Sequence, residues 1–453
     1  MVDLHWKSNM VNSNNISPKS PKLSLPDKQL PTTLSLPTLQ QPPFPKNDIS
    51  PASSHVCAAY DNYLHLPNLR KLWASNDFPN WNNEPVLKPA LQALEITFRF
   101  ISTVLSDPRP YVNRREWTRR LDSLATSQVQ IIALLCEDEE LNPETRGTAP
   151  VTDANGFGNG RSYSEASFIS RLATWHVSRD VAQRILFSVE REMSRCSYTL
   201  GLGEANLAGK PILRYDAVCK PNEVHALETT AYDHVGNYET RSLHATHQIL
   251  ESWSRASRVL VERITDSIDS GRFEKAAMDC YAVERIWKLL TEIEDLHLMM
   301  DPDDFLKMKK HLGIRSNGET VPFCFRSKEL VEMAKMCKDL KKKVPVILAV
   351  EVDPKGGPAM VEAAMKVYAE KRSEFEKVHV LQAMQGIEAA MKRFFYAYKQ
   401  VVAVVMGSAE FNGSRFDSVD SLTQIFLEPT YFPTLDAAKT FLGYYWDNNN
   451  NNN

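Results

Sequence analysis

Apolar positions recur along most of the chain at the three- and four-residue intervals of an α-helix. In residues 86–106, Leu91, Leu94, Phe98, Ile101 and Leu105 define one apolar stripe. Residues 116–136 repeat the pattern and end in the acidic turn EDEELNPETRG. A polar, Gly-rich link, TDANGFGNGRSYS, precedes another helical stretch over 165–195, marked by Ile169, Leu172, Trp175, Val181 and Leu186. Residues 198–232 have little periodicity and read as a long ordered loop. Successive helices are then expected over 238–268, 274–300 and 303–312, with Ser270-Gly271 as the first break. A helix over 327–340 runs into Lys338, Lys341, Lys342 and Lys343. The next segment, VPVILAVEV (344–352), is rich in Val and Ile and is the best strand candidate in the chain. A long helix follows over about 374–406, and short helices over 418–426 and 434–442 close the pattern. The fold class is therefore all-α, with at most one short strand or hairpin.

The two ends break this pattern. Residues 1–53 hold 9 of the 26 prolines and read SPKSPKLSLPDKQLPTTLSLPTLQQPPFP in their middle. Too little apolar area is available there to offset the entropy of ordering, so a disordered tail is expected. Ser17, Ser20 and Ser50 each precede proline and are candidate sites for a proline-directed kinase, against the plainer reading of a floppy tail. Six Asn, 448–453, end the chain. The organisation expected is a tail (1–53), an N-terminal helical region (54–190), a C-terminal helical region (191–446) and an Asn tail (447–453).

Charge and composition narrow the chemistry. Lys and Arg number 53 against 56 Asp and Glu, a net charge of -3. No basic excess exists to neutralise a phosphate backbone, which disfavours nucleic acid as partner. The 17 glycines in 453 residues (17/453 ≈ 3.8%) fall below the usual ~7% and argue against a Gly-rich cofactor fold. Seven scattered cysteines without a C-x-x-C pair fit reduced thiols in the cytoplasm or nucleus and give no zinc motif. No metal is expected on that ground. No apolar run is long enough for a membrane span. The spacings Gly156-x-Gly158-x-Gly160 and Gly201-x-Gly203 lack the strand and the completion of a dinucleotide fingerprint. P-loop, nucleophile-elbow and H-E-x-x-H signatures are absent.

One cluster is denser than chance. His244, His247 and Glu251 share a helix face in LHATHQILESW. His247 and Glu251 fit a hydrogen-bonded pair or two metal ligands; a polar helix face with His247 bonded at a helix–helix junction is the plainer reading. Lys338 to Lys343 could meet an acidic partner or a phosphate, or simply complement a helix C-terminus. Phe394, Phe395, Tyr396 and Tyr398 cannot all lie on one face of their helix.

The segments MVDLHWKSNMV, LPNLRKLWASNDFPNWNNEPVLKPALQALEITFRF and VLQAMQGIEAAMKRFFYAYKQVV resemble the plant nematode-resistance-protein-like family over nearly the whole chain. That family is described as two homology regions, whose join falls near 185–195 here. The resemblance implies a role in basal defence against bacteria and nematodes. It also implies a link to a sucrose-non-fermenting-related kinase through its βγ-type subunit.

A fainter resemblance is to tryptophan dioxygenase. His247-Gln248-x-x-Glu251-x-Trp253 is similar to that enzyme's H-Q-x-x-E-L-W. Met300-Asp301-Pro302-Asp303-Asp304-Phe305 is similar to its M-T-P-x-D-F, and Tyr60-x-x-Tyr63-Leu64-x-Leu66 to its Y-x-x-Y-L-x-L. The closing helix to Gly407, with Phe432-Pro433-x-Leu435, resembles its haem helix and tail. The resemblance implies an α-helical dioxygenase-like fold and, from a tetrameric ancestry, an oligomer. The departures then decide the chemistry. Tyr398 stands where the haem-ligating His belongs, which changes the iron's electronics. Lys309 replaces the substrate-binding Arg and lacks its bidentate fork. Gly407-Ser408-Ala409-Glu410 replaces the Gly-Thr-Gly-Gly-Ser loop.

Two readings follow. The first is a non-enzymatic defence regulator, without cofactor, that works by protein–protein contact. The second is a haem- or small-ligand-binding protein with a remnant pocket of His247, Glu251, Lys309 and Tyr398. Convergence of His247, Lys309 and Tyr398 would favour the second; a centre filled by Phe394 and Phe395 would defeat it.

Overall fold

The computed structural model describes residues 54–75, 84–106, 113–137, 219–227, 238–303, 326–351, 359–369, 374–406 and 425–450. The Pro-rich tail with Ser17, Ser20 and Ser50, the expected helix over 165–195, the Gly-containing spacings, Lys309 and Gly407–Glu410 lie outside these residues.

Every regular element among the described residues is helical. In chain order these are α1 (Ser54–Tyr63), α2 (Leu66–Ala74), α3 (Glu84–Ser106), α4 (Arg114–Glu137), α5 (Pro221–His225), α6 (Tyr238–Asp269), α7 (Phe273–Asp295), α8 (Lys328–Asp339), α9 (Val344–Leu348), α10 (Ala359–Ala369), α11 (Phe375–Met406) and α12 (Pro433–Asn450). Short 3-10 turns at Leu296–Met299 and Leu340–Lys343 extend α7 and α8. No helix of the described residues is long and apolar enough to cross a membrane.

The strand expected at 344–352 is a helical turn instead. Pro345 occupies the start of α9, where its missing N–H costs nothing, and Ala349 ends it with φ 54. Val344, Ile347 and Leu348 are buried, which is helical spacing. A short apolar run does not distinguish a strand from a buried helix, and here the proline decides it. The loop expected over 198–232 also contains α5, again opened by a proline after left-handed Lys220. α10 was not evident from periodicity.

α6 is the axis of the bundle. It packs against α3 on one side and against α7 and α8 on others, while α11 covers α7. The α6–α7 turn is a Schellman motif. The N–H of Arg272 donates to Ser267 O at 2.8 Å and that of Gly271 to Ile268 O at 3.0 Å. Gly271 has φ +72 there, which explains why glycine ends this helix. Trp253, Trp287, Phe98, Phe394 and Phe395 are fully buried, and one hydrophobic core runs through helices from both 54–137 and 219–450. Gln128 stitches three helices together: its amide donates to Thr97 Oγ1 at 2.8 Å, and its carbonyl accepts from Trp253 Nε1 at 3.0 Å.

Candidate functional site

The first half of α6 is buried nearly all round, yet much of what it buries is polar. Glu239, Thr240, Ser242, His244, Thr246, His247, Gln248, Glu251 and Ser252 are all buried. Buried polar groups must find partners, so this stretch organises the chain around it.

Tyr60, on α1, is central. Its hydroxyl donates to Glu251 Oε1 at 2.8 Å and lies 3.1 Å from His247 Nδ1. A phenol has one proton. With that proton on Glu251, the phenolic oxygen accepts from His247 Nδ1–H, and the imidazole lone pair is left on Nε2. The Tyr60 phenol is held far above its ordinary range, first by burial and then by Glu251, with Glu294 and Tyr398 adding to it. Burial, reinforced by His297, depresses His247, so its ring is neutral. Burial also pushes the Glu251 carboxyl up to about 7, against the nearby Ser327 and Tyr60 hydroxyls.

Glu294 closes the last turn of α7, and His297 follows in the 3-10 turn. The His297 ring stacks on His247 with centroids 5.3 Å apart. Thr246 Oγ1 has one proton, which the carbonyls of Ser242 and Leu243 can accept at 3.0 Å, and it lies 2.9 Å from His297 Nε2; with that proton on a carbonyl, Thr246 accepts from Nε2–H. His297 Nδ1 lies 2.9 Å from Glu294 Oε2. His247, Glu294 and His297 are all buried, and their ligand atoms lie within 4.8 Å of one another.

Around this centre, Arg99 of α3 donates to Gln248 Oε1 at 3.1 Å and to Val224 O at 3.2 Å. Gln248 Nε2 reaches Leu64 O at 3.1 Å. Arg70 grips Asp61 through two hydrogen bonds, 2.9 and 3.2 Å, and Arg258 pairs with Glu329 at 3.1 Å. Ser327 caps α8 by accepting from Leu330 N at 3.0 Å.

The structure thus brings His247 and Glu251 together through Tyr60. His244 turns aside to the edge of Tyr63, 5.4 Å between ring centroids, and burial depresses its pKa as well. Tyr398 lies near enough to raise Tyr60, but its ring stacks on Phe394 at 6.2 Å. Phe394, Phe395 and Trp287 in turn pack on one another with centroids 5.2–5.9 Å apart. The lysine cluster is largely paired internally: Lys338 with Glu428, Lys342 with Asp339 and Lys343 with Asp269. Glu294 and His297 escape the sequence reading, although their three-residue spacing puts both on one helix face.

Comparison with known proteins matches residues 1–190 to the Hs1pro-1 N-terminus and residues 193–448 to the Hs1pro-1 protein C-terminus. The chain is similar to nematode resistance protein-like HSPRO2 of Arabidopsis thaliana, at 56% identity over 98% of this chain and 99% of that one. It is similar to nematode resistance protein-like HSPRO1 of the same plant at 54% identity, with 98% and 99% covered.

Proposed function

The chain belongs to the Hs1pro-1 family, and from that premise we propose that it is a non-enzymatic regulator of basal plant defence that acts through protein–protein contacts. Two relatives sharing more than half of its residues carry the name nematode resistance protein-like, which supports a defence-related role. The observation that favours contact over cofactor chemistry is the filled centre. Phe394 and Phe395, one turn before Tyr398 on α11, and Trp287 from α7 are no more than 1% exposed and pack on one another beside the position where the resemblance would put a haem ligand. The partner class this reading takes is a stress- or energy-sensing kinase complex, through a βγ-type subunit.

Titration of the purified chain with that subunit tests the reading. Saturable binding at micromolar concentration is expected; a flat calorimetric trace up to tens of micromolar would remove this partner. A second reading keeps the polar centre as a remnant ligand pocket, because Tyr60, His247, Glu251 and Tyr398 lie close together. Haem added to the wild-type chain and to Tyr398→Phe distinguishes the two. A stoichiometric Soret band that shifts in the variant would favour haem. Absence of a specific band leaves the contact reading.

A further inference from the structure

We propose that His247, Glu294 and His297 form a binding site for a divalent transition-metal ion of the zinc or ferrous class. This goes beyond the defence reading and does not depend on it.

Ligand type comes first. Two imidazoles and one carboxylate suit zinc and non-haem iron, both of borderline softness. The three residues come from two helices that are neighbours in space, α6 and the end of α7, and their ligand atoms already lie within 4.8 Å of one another. In a tetrahedral site with ~2.1 Å bonds these atoms would be about 3.4 Å apart. Small rotations of the two stacked imidazoles and of the Glu294 carboxylate would close the site on an ion.

The carboxylate supplies the independent observation. Glu294 is 1% exposed; its Oε1 has no hydrogen-bond partner, and its Oε2 lies 2.9 Å from His297 Nδ1. A buried acid with one oxygen unpartnered is costly, and it marks a place where something positive belongs. Oε2 faces His297 Nδ1, which carries its lone pair in the tautomer that places Nε2–H on Thr246, the tautomer a metal ligand requires. Two acceptors 2.9 Å apart need a proton or a cation near them.

The outer hydrogen bonds have the form that metal-binding histidines use. A ligating imidazole donates its other N–H to a fixed acceptor, which sets the tautomer and the ring orientation. His247 has Nδ1 on the Tyr60 oxygen, and His297 has Nε2 on Thr246 Oγ1. Each ring therefore turns its lone-pair nitrogen to the side away from its anchor. The charges facing the site are mixed. The Arg326 guanidinium bears on His247 and opposes a cation, while Glu294 and, from the next turn of α6, Glu251 favour it.

The test is metal uptake by the full chain. Chelator-treated protein is titrated with Zn²⁺ and, separately, with Co²⁺ as a spectroscopic substitute. One ion per chain is expected, with a rise in melting temperature and d–d bands of a low-coordinate cobalt site. Glu294→Gln and His297→Gln are expected to lose uptake while keeping the wild-type helical circular dichroism. Tyr60→Phe and Thr246→Val should weaken it by roughly 10–100-fold, as loss of an outer partner does. His297→Cys should restore binding and add a sulfur-to-cobalt charge-transfer band. Wild-type protein that takes up no ion overturns the proposal even if the variants fail to fold. So does uptake that is unchanged in Glu294→Gln and His297→Gln.

Discussion

The bundle has two cores of opposite character on one helix. The C-terminal half of α6 buries Ala256, Leu260, Val261, Ile264 and Ile268, and continues into Trp287, Phe394 and Phe395 across α7 and α11. The N-terminal half buries His244, His247, Gln248 and Glu251 against Tyr60, Tyr63 and His297. The apolar core gains from the area it removes from water, and any well-shaped set of side chains would serve there. The polar core gains little net energy per hydrogen bond, yet loses heavily when one partner is removed. Stability is therefore concentrated at one end of α6, and chemical specificity at the other.

The comparison breaks most visibly at the apolar end. Trp287→Ala or Phe394→Ala should each cost about 3–5 kcal/mol, because both are fully buried and the cavity cannot refill. Chemical denaturation followed by circular dichroism reads this directly; a loss below about 1 kcal/mol would mean that α7 and α11 do not pack as described.

The polar end should respond to pH. Glu251 sits at about 7 against an ordinary 4.5. A carboxyl raised on folding contributes stability below about 4.5 and loses that contribution as pH rises through about 7. The shift is equivalent to a stability difference on the order of 3 kcal/mol. His244 and His247 act in the opposite sense, since their depressed values make stability fall as pH drops below 6.5. Comparison of wild type with Glu251→Gln in metal-stripped protein isolates the carboxyl. The wild-type advantage should shrink steadily between pH 4.5 and 7, and parallel curves would show that Glu251 is not desolvated.

Tyr60→Phe should cost about 1–3 kcal/mol, from a buried carboxylate and imidazole left without their shared partner. The double variant with Glu251→Gln should cost less than the sum of the two. Strict additivity would show that the pair is not coupled.

The smallest effects belong to the surface. Lys343 pairs with Asp269 at 2.7 Å in partly exposed surroundings, and Lys343→Ala should change stability by under about 1 kcal/mol. Cys337, pushed by burial up to about 12, should resist thiol reagents in the native state and react only on unfolding. Rapid native labelling would mean that α8 opens locally.

Long periodic helices were legible in the sequence because α3, α4, α6, α7 and α11 each repeat an apolar face over six turns or more. The pattern was ambiguous where an element is short. Val344–Leu348 has strand composition, and only Pro345 argues for a helix. The site was legible only along one helix. His247 and Glu251 stand four apart, but Tyr60 lies 187 and 191 residues away from them. Nothing local in the sequence encodes such a pairing. Glu294 and His297 carry a local signal, the three-residue spacing, which gains meaning only when α7 ends beside His247.

The Gly271 turn sets the order in which these parts can assemble. It joins α6 to α7 through a three-residue reversal, Ser270 to Arg272, so their pairing closes a very short loop. Local hairpins of this kind form early, whereas contacts distant in sequence must wait for a large entropic loss. The α6–α7 hairpin would then exist before Tyr60 arrives, with His247, Glu294 and His297 already side by side. The segment carrying α1 would close over a preformed polar face as one of the last steps of folding.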